Sequence, residues 1–559
     1  MKKRKILSVL FSLTLAVTCL AGCGNSKSTI GSVASESNGE MDKSPITLTF
    51  FNCDATEDMP FTDDVAQKIT ELTGVTLKIT HPVAGDTQSI PLMIASGDYP
   101  DLIFAKGDTG KLIDAGAIIP LDDYIENKGS NLKALYGDQI DRLRYGKEDT
   151  SIYTVGTYGV KTKIYAPDGS LQIQNAVLKD LGYPEIKTLN DYENAIKTYK
   201  EKYPEINGQK TIGMSLMASD WRWLITCGNI ASSVAGIPDD GQFKIDDETE
   251  EAVYKYQLPE VKEYFKWLNH MYTEGLLDPE SFTQKEDTYK SKLAQGTVLG
   301  ISDAKWDYDS SMKSLIAAGM PERTFAPLSV TLNENVKDQT MKDYGFGGGW
   351  GVAISSTSEN KERAFEFLDW LASDEAQILL NWGIEGKHYT VENGVRKFLP
   401  EIQEQKNTDK DFASKTGIGN YVYPFPQRGN AAKDSTGNYY SPDTLESYKI
   451  NYNSAEKETI EAYGKDSWCD FFPQAEELGI SKHGQAWQYN IPSDSDMAII
   501  QKKADDYVQK AVTQAILGSE EDFDAAWDQI QSTLESYDIE KVNQGMTELT
   551  KERIELWNK

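Results

Sequence analysis

The sequence is short of positive charge: 57 lysines and arginines stand against 87 acidic residues, which gives a formal net charge of −30. Nucleic-acid binding needs a basic face that neutralises phosphates, so this balance disfavours a nucleic-acid partner. Apolar residues make up 39% of the chain and aromatic residues 10%, which is enough to bury a sizeable core. At roughly 100–200 residues per domain, a chain of 559 residues predicts a globular protein with at least two folding units.

Cysteine and histidine are scarce, with five and four residues. Beyond the N-terminal segment the cysteines are Cys53, Cys227 and Cys469. Their odd number and wide spacing exclude a disulfide scaffold or a CxxC metal site and leave at most one long-range bridge, so we expect buried free thiols. The histidines form no HExxH pair and show no metal-ligand spacing. We therefore predict no metal site and no cofactor.

Signatures of catalysis are also missing: the sequence has no GxSxG elbow and no Walker lysine motif. The glycine-rich segment 345–351 fails as a dinucleotide motif, because the third glycine of GxGxxG would fall on Trp350. This segment is either a flexible or close-packed connector or a hinge. Carboxylate pairs such as Asp122-Asp123 are typical of solvated surface in so acidic a chain. The sequence therefore predicts a protein that is not an enzyme.

The N-terminus has the pattern of a secretory signal, with a basic segment at residues 2–5 and an apolar run from Ile6 to Leu20. The run closes on Leu-Ala-Gly-Cys at 20–23, which resembles the bacterial lipobox. We expect residues 1–22 to be a lipoprotein signal peptide, Cys23 to carry the lipid anchor, and residues 23–44 to be a flexible tether. The alternative is an ordinary secretory signal in which Cys23 is incidental. Either pattern predicts export, and the lipobox predicts attachment to the extracytoplasmic face of a bacterial cell membrane.

From residue 46 onward the pattern alternates between strand and helix. Residues 46–50 and 75–79 have the period of two expected for strands, and a helix capped by Thr62 is predicted between them, ending at Gly74. This βαβ unit predicts an α/β fold, in which ligands bind at the carboxyl ends of parallel strands. Asn52, Asp54 and Asp108 lie at such ends and are candidate ligand-binding residues.

Several segments, in one order along the chain, resemble the extracellular solute-binding proteins of family 1, the receptors of carbohydrate ABC importers. They are MIASGDYPDLIF (93–104), LIDAGAIIPLDDYI (112–125), LQIQNAVLKDLGYPEIKTLNDY (171–192), LAQGTVLGISDAKWDY (293–308), GWGVAISS (349–356) and ERAFEFLDWLASDEAQILLNWGIEGKHY (362–389). The resemblance covers most of the chain from residue 46, and it is greatest to the large lipoprotein receptors for oligosaccharides.

This resemblance implies a two-lobed α/β fold, like that of periplasmic binding proteins, with a ligand cleft between the lobes. Lobe 1 would comprise residues 45–168 and 352–395, and lobe 2 residues 169–351 and 396–559, with the glycine-rich segment as a hinge. It also implies a monomer that works with the membrane subunits of an ABC permease. No apolar run after residue 22 is long enough to span a membrane, so other subunits would carry out translocation.

Aromatic residues in the segments expected at the cleft are candidates for stacking on sugar rings, with polar side chains nearby to bind hydroxyls. Trp306, three residues after Asp303, combines both types, and Trp350 lies at the proposed crossing between lobes. For these two tryptophans we predict a binding role instead of core packing. For Trp223 and Tyr389 the core and the cleft are equally good interpretations.

Many of the large oligosaccharide receptors carry an acidic calcium loop that this chain lacks. The corresponding stretch, residues 203–210, offers a single carboxylate, Glu205, whereas calcium needs several converging anionic oxygens. We therefore expect no calcium there. The leading hypothesis is a lipid-anchored receptor that closes two lobes on an oligosaccharide and delivers it to an ABC permease. The alternatives are a receptor for a peptide or another solute and, in a different class, a surface glycoside-processing enzyme.

Overall fold

Two four-stranded sheets organise the protein, for which a computed structural model describes residues 41–55, 57–82, 88–167 and 169–558. The predicted signal peptide, Cys23 and most of the predicted tether lie outside the described residues. Residues 42–559 form one compact unit.

The strands of the described part are β1 (Ile46–Asn52), β2 (Val75–Thr80), β3 (Leu102–Phe104), β4 (Ser170–Gln174), β5 (Glu205–Ile206), β6 (Gln209–Lys210), β7 (Ile212–Ser215), β8 (Phe243–Ile245), β9 (Ala252–Tyr254), β10 (Val298–Asp303), β11 (Phe325–Leu328), β12 (Val352–Ile354), β13 (Tyr389–Glu392) and β14 (Val395–Phe398).

The helices are α1 (Asp64–Thr73), α2 (Ser89–Ser96), α3 (Thr109–Asp114), α4 (Asp122–Lys128), α5 (Ser130–Tyr136), α6 (Asn175–Asp180), α7 (Leu189–Lys202), α8 (Ile230–Val234), α9 (Pro259–Thr273), α10 (Glu286–Ala294), α11 (Lys305–Ala317), α12 (Lys361–Leu371), α13 (Asp374–Trp382), α14 (Pro400–Thr408), α15 (Phe412–Thr416), α16 (Leu445–Asn451), α17 (Ser454–Ala462), α18 (Ala475–Leu478), α19 (Asp496–Ile516), α20 (Phe523–Ser536) and α21 (Ile539–Trp557). A π-helical segment, Leu224–Asn229, precedes α8.

The first sheet has the strand order β12-β3-β1-β2, with β1 parallel to β2 and β3 and with β12 antiparallel to β3. Between β1 and β2, α1 begins at Asp63, whose side chain accepts a hydrogen bond from the backbone N–H of Ala66. The predicted cap, Thr62, is therefore wrong by one residue. Gly74 ends the helix as predicted, at a φ of 74°. A Cβ at this position would lie 2.3 Å from the carbonyl oxygen of Lys43, so the site requires glycine.

The second sheet has the order β11-β4-β10-β7, in which β4 is antiparallel to both of its neighbours and β10 is parallel to β7. Helix α7 packs beside it and begins with a capping box, in which Thr188 and Asp191 satisfy each other's backbone N–H groups. Tyr192, one turn into α7, is fully buried and donates its hydroxyl to the carbonyl oxygen of Gln172 on β4 at 2.8 Å. The helix is thereby fixed to the sheet.

Each sheet has its own hydrophobic core, which gives the fold two lobes. The first core does not end near residue 395: it also includes Phe398, Ile402, Phe412, Ile418, Tyr421 and Phe425. Phe398 packs on Trp382 with ring centroids 4.8 Å apart, and Phe425 packs on Phe50 of β1 at 5.1 Å. The expectation that the second lobe resumes at residue 396 is therefore corrected, because residues 398–425 supply apolar cover for the first sheet.

The glycine-rich segment before β12 packs against neighbouring backbone. A Cβ at Gly348, whose φ is 62°, would lie 1.9 Å from the carbonyl oxygen of Arg142. Arg142 also donates to the carbonyl oxygen of Phe346, and Arg553 of α21 donates to that of Gly347, both at 2.8 Å. The close approach accounts for the glycines as a packed connector, and the hinge stays a prediction.

Candidate functional site

Four aromatic side chains from distant parts of the chain meet where the two lobes adjoin. Trp350 and Trp487 have ring centroids 5.2 Å apart, Tyr158 lies 5.8 Å from Trp487, and Tyr423 lies 6.3 Å from Tyr158. Trp350 and Tyr423 pack against the first core, whereas Trp487 follows Ala486, which is buried in the second core. This set, Tyr158, Trp350, Tyr423 and Trp487, is called the aromatic cluster below. It spans both lobes.

The strand ends of the first sheet supply polar groups to the aromatic cluster. Asp54 follows β1, and its carboxylate accepts a hydrogen bond from the Tyr423 hydroxyl at 2.6 Å. Lys106 follows β3; its Nζ lies 2.5 Å from an Asp54 oxygen and 5.7 Å from the centroid of the Trp350 ring. Burial, followed by the charge of Asp54, raises the pKa of both Tyr158 and Tyr423. Both phenols therefore remain protonated and can donate hydrogen bonds.

The second lobe supplies Asp239, whose charge also contributes to the raised pKa of Tyr158. The Asp239 carboxylate accepts hydrogen bonds from the backbone N–H of Gly241 at 3.3 Å and from the side-chain amide of Gln485 at 3.4 Å. Burial raises the pKa of this carboxyl group, and the charge of Lys255 partly offsets the rise. Asp54 and Asp239 thus bring acceptor groups to the cluster from opposite lobes.

Lys255 holds the loop that carries Asp239. Its side chain is fully buried and donates to the carbonyl oxygen of Gly241 at 2.6 Å. Burial lowers the pKa of Lys255 to about 8, against the opposing charges of Asp239 and Asp505. A Cβ at Gly241 would lie 2.8 Å from the Cβ of Trp487, so this glycine allows the loop to pack against the cluster.

A second aromatic surface lies on the second lobe. Trp221 and Trp306 are 57% and 58% exposed, and their rings are nearly parallel, with an interplanar angle of 7° and centroids 6.1 Å apart. Trp306 is in the first turn of α11, directly after β10. Two large exposed indoles side by side are unusual for a surface without a ligand or partner. Trp221 and Trp306 are called the tryptophan pair below.

Charged groups flank the tryptophan pair. The guanidinium of Arg222 lies 5.0 Å from the Trp221 ring and forms ion pairs with Asp220 at 2.9 Å, Glu286 at 2.6 Å and Asp307 at 3.0 Å. Burial alone would lower the pKa of Arg222, but these three carboxylates outweigh it and raise the pKa. The cation is therefore neutralised by its own neighbours.

Five of the predicted site residues lie at strand ends or at an exposed aromatic surface. Asp54, Trp350 and Trp306 have the positions described above. Asn52 is buried, and its side-chain oxygen accepts the backbone N–H of Asp54 at 3.0 Å, so it supports the loop after β1. Asp108 lies after β3 and pairs with Lys111 at 2.7 Å. Their roles in binding stay predictions.

The other three predicted site residues are in the interior. Trp223 is 3% exposed, stacks on Phe265 and donates its indole N–H to Thr513 at 3.1 Å. Tyr389 starts β13 and packs beside Trp382 with centroids 6.2 Å apart. Asp303, at the end of β10, is fully enclosed and accepts a hydrogen bond from the Tyr289 hydroxyl at 2.9 Å. All three side chains are thus buried by the protein itself, and their role in binding stays a prediction.

Sequence reasoning missed Tyr158, Lys106, Asp239, Tyr423 and Trp487. Tyr423 and Trp487 belong to the irregular stretch 396–500, for which no helical or strand period gives a position. A usable signal was available at Lys106, since it follows a strand of the first sheet just as Asp54 does.

The segment 203–210 is a tight hairpin. Strands β5 and β6 pair across Asn207 and Gly208, which have φ angles of 54° and 76°. Within the described ranges, no group of three or more histidine, cysteine, aspartate or glutamate residues is arranged to hold a metal ion.

Cys53, Cys227 and Cys469 are free, so no two of them pair. No helix of the described part has the length and apolar character needed to cross a membrane.

Comparison with known proteins places this architecture. Residues 55–378 match the family described as bacterial extracellular solute-binding protein. Lipoprotein LipO of Bacillus subtilis is 22% identical over 74% of this chain and 79% of its own length. The fructooligosaccharide ABC transporter substrate-binding protein FusA of Streptococcus pneumoniae is 24% identical over 67% of this chain and 70% of its own. A FusA structure with fructo-nystose has a TM-score of 0.67 at 17% identity, covering 90% of this chain and 99% of that one, which shows the shared two-lobed fold.

Proposed function

Because the chain belongs to the bacterial extracellular solute-binding protein family, we propose that it captures an oligosaccharide between its lobes and delivers it to an ABC permease. The observation that carries this proposal is the aromatic cluster, in which rings from both lobes lie beside the carboxylates of Asp54 and Asp239. Sugar rings present flat C–H faces to aromatic rings, and their hydroxyls donate hydrogen bonds to carboxylates. FusA, a relative, is named for fructooligosaccharides and supports this ligand class.

The proposal includes attachment to the outer face of the cell membrane. The lipobox-like sequence before Cys23 supports a lipid anchor, and a relative, LipO, is named as a lipoprotein. A lipidated cysteine carries two acyl chains, which is the number that stable anchoring needs. The protein would act as a monomer that presents its loaded form to the permease.

We propose a receptor, not a glycoside-processing enzyme. The Asp54 carboxylate pairs with Lys106 at 2.5 Å and accepts a hydrogen bond from the Tyr423 hydroxyl at 2.6 Å, so donors from the protein already occupy it. Hydrolysis of a glycoside needs one protonated carboxyl group beside an ionised one. Prolonged incubation with oligosaccharides should therefore leave them intact, and turnover would contradict the receptor assignment.

The experiment that tests the proposal compares two aspartates in matched environments. Asp54 interacts with a lysine and a tyrosine hydroxyl at the aromatic cluster. Asp180, at the end of α6, interacts with Lys202 and with the Tyr203 hydroxyl, each at 2.8 Å. A glycan array identifies the ligand, and titration calorimetry then measures its affinity for each variant.

We expect Asp54→Asn to weaken binding about tenfold or more, because a charge-assisted acceptor for sugar hydroxyls is lost. Asp180→Asn should leave affinity unchanged. Equal affinities for both variants and the parent would remove Asp54 from the site.

X-ray scattering should show compaction on binding in the parent and less compaction in an Asn52→Ala/Asp54→Ala variant, since both residues lie on the first lobe.

A further inference from the structure

Three lysines near the aromatic cluster are engaged by groups of the protein. Lys106 pairs with Asp54 at 2.5 Å, and Lys111, on the same side of the first sheet, pairs with Asp108 at 2.7 Å. Lys255 is fully enclosed and donates to a backbone carbonyl oxygen at 2.6 Å. Each of these three cations therefore already has a partner in the protein, while carboxylate and phenol groups also lie at the cluster.

The two arginines behind the glycine-rich connector are similarly committed. Arg142 and Arg553 donate to the carbonyl oxygens of Phe346 and Gly347 at 2.8 Å, and both stack on the Trp557 ring, at 4.3 Å and 5.0 Å from its centroid. Arg553 also donates to the carbonyl oxygen of Gln488 at 3.2 Å. These guanidiniums bind the crossing to the C-terminal helix.

The tryptophan pair has the same electrostatic pattern. Arg222 is shared among three carboxylates, and Lys290 lies 2.5 Å from Glu286 and 3.5 Å from Asp307. Two cations thus face three carboxylates. Lys305, next to Trp306, lies 5.1 Å from the Tyr448 ring centroid, and its charge helps to lower the pKa of Asp443.

An acidic sugar would therefore compete with the protein's own carboxylates for lysine and arginine side chains that are already paired. Burying an anion next to like charges is strongly unfavourable, and such repulsion gives specificity against the wrong ligand. Neutral sugar hydroxyls fit the same groups well, because they donate to carboxylates and accept from phenols.

We propose that this protein selects uncharged oligosaccharides and rejects those that carry uronate, sialate or sulfate groups at the residues bound by the aromatic cluster or the tryptophan pair. This inference rests on the proposed function, and it names the charge class of the ligand of that same site. The net charge of −30 adds a long-range repulsion of the same sign.

The test uses neutral and acidic glycans that share a backbone. A glycan array that contains both classes is screened first. Paired probes are then titrated: lacto-N-neotetraose against its sialylated form, and fully methyl-esterified oligogalacturonide against the free acid. For the pair whose neutral member binds, we expect the acidic member to bind at least about a hundredfold more weakly, with a smaller difference at high salt.

A variant then connects the selectivity to named residues. Asp239→Asn removes a carboxylate that lies near Tyr158 and should narrow the ratio of neutral to acidic affinity. Asp180→Asn should leave the ratio unchanged, because the partners of Asp180, Lys202 and Tyr203, are not members of the cluster. Equal or tighter binding of the acidic member would overturn the inference while leaving the oligosaccharide receptor in place. A protein that binds no glycan of either class would overturn both.

Discussion

The tryptophan pair allows ligand binding to be separated from folding by one substitution. Trp306 is 58% exposed, and a tryptophan offers roughly 250 Å² of surface, so about 145 Å² is open to a ligand. A sugar stacked on one face would cover about half of this area, which at roughly 25 cal/mol per Å² corresponds to ~1.8 kcal/mol. Trp306→Ala should therefore weaken ligand binding about twentyfold.

Trp223, two residues after Trp221 of the tryptophan pair, provides the opposite case. It is 3% exposed, and its ring stacks on Phe265 with centroids 6.0 Å apart. Truncating a buried aromatic side chain costs about 3–5 kcal/mol of unfolding free energy, whereas truncating an exposed one changes stability by about 0.5 kcal/mol or less. Trp306→Ala should thus lose ligand affinity, whereas Trp223→Ala should lose stability.

The assay combines calorimetric titration of the array-identified glycan with urea unfolding of each variant. Trp306→Ala should show the affinity loss with near-parental stability, and Trp306→Tyr should recover part of the affinity because it restores a flat ring. Trp223→Ala should show the stability loss. If Trp306→Ala binds as well as the parent, or unfolds with a deficit above about 2 kcal/mol, the exposed indole is not a ligand platform and the reasoning is refuted.

Three further predictions concern the anchor, the metal and the thiols. Cys23→Ala should release the protein into the medium or leave an unprocessed precursor; continued partitioning into detergent would refute the lipid anchor. EDTA should leave the melting temperature unchanged, and a fall that calcium alone reverses would show a site at 203–210. Burial raises the pKa of Cys53 and Cys227 to about 12 and that of Cys469 to about 11, so each stays a thiol at pH 8 and becomes thiolate only toward those values. Iodoacetamide at pH 8 should label them only after denaturation, and mass spectrometry of the native protein checks this.

Local sequence patterns predict helices well where a helix end is set by hydrogen bonds between residues close together in the sequence. Thr188 and Ser373 cap α7 and α13, because a hydroxyl followed by an acidic first turn satisfies free backbone N–H groups wherever the helix packs. Thr62 failed as a cap because the adjacent Asp63 offers a carboxylate one residue later. Local signals therefore fix the presence of an element more firmly than its first residue.

The site was less predictable because its geometry is tertiary. Trp221 and Trp223 are two residues apart, and for Trp223 the sequence left the core and the cleft as equal interpretations; the structure buries Trp223 and exposes Trp221 beside Trp306. Trp221 lies in a turn before the π-helical segment, so a helical wheel gives no face for it. Trp350 could be placed at the crossing by resemblance, but its partner Trp487 comes from a stretch with no periodic pattern.

If the aromatic cluster binds the ligand as proposed, its composition links ligand capture to lobe closure. A ligand shifts a conformational equilibrium only by the difference in its affinity for the two states. Tyr423 and Asp54 belong to the first lobe, whereas Trp487 and Asp239 belong to the second, so a ligand touching both sets makes its full contacts only when the lobes meet. A ligand that satisfies one lobe alone gains no such difference. A permease that recognises the closed form would then respond to the correct solute, because the contacts that bind the solute are the same contacts that hold the two lobes closed.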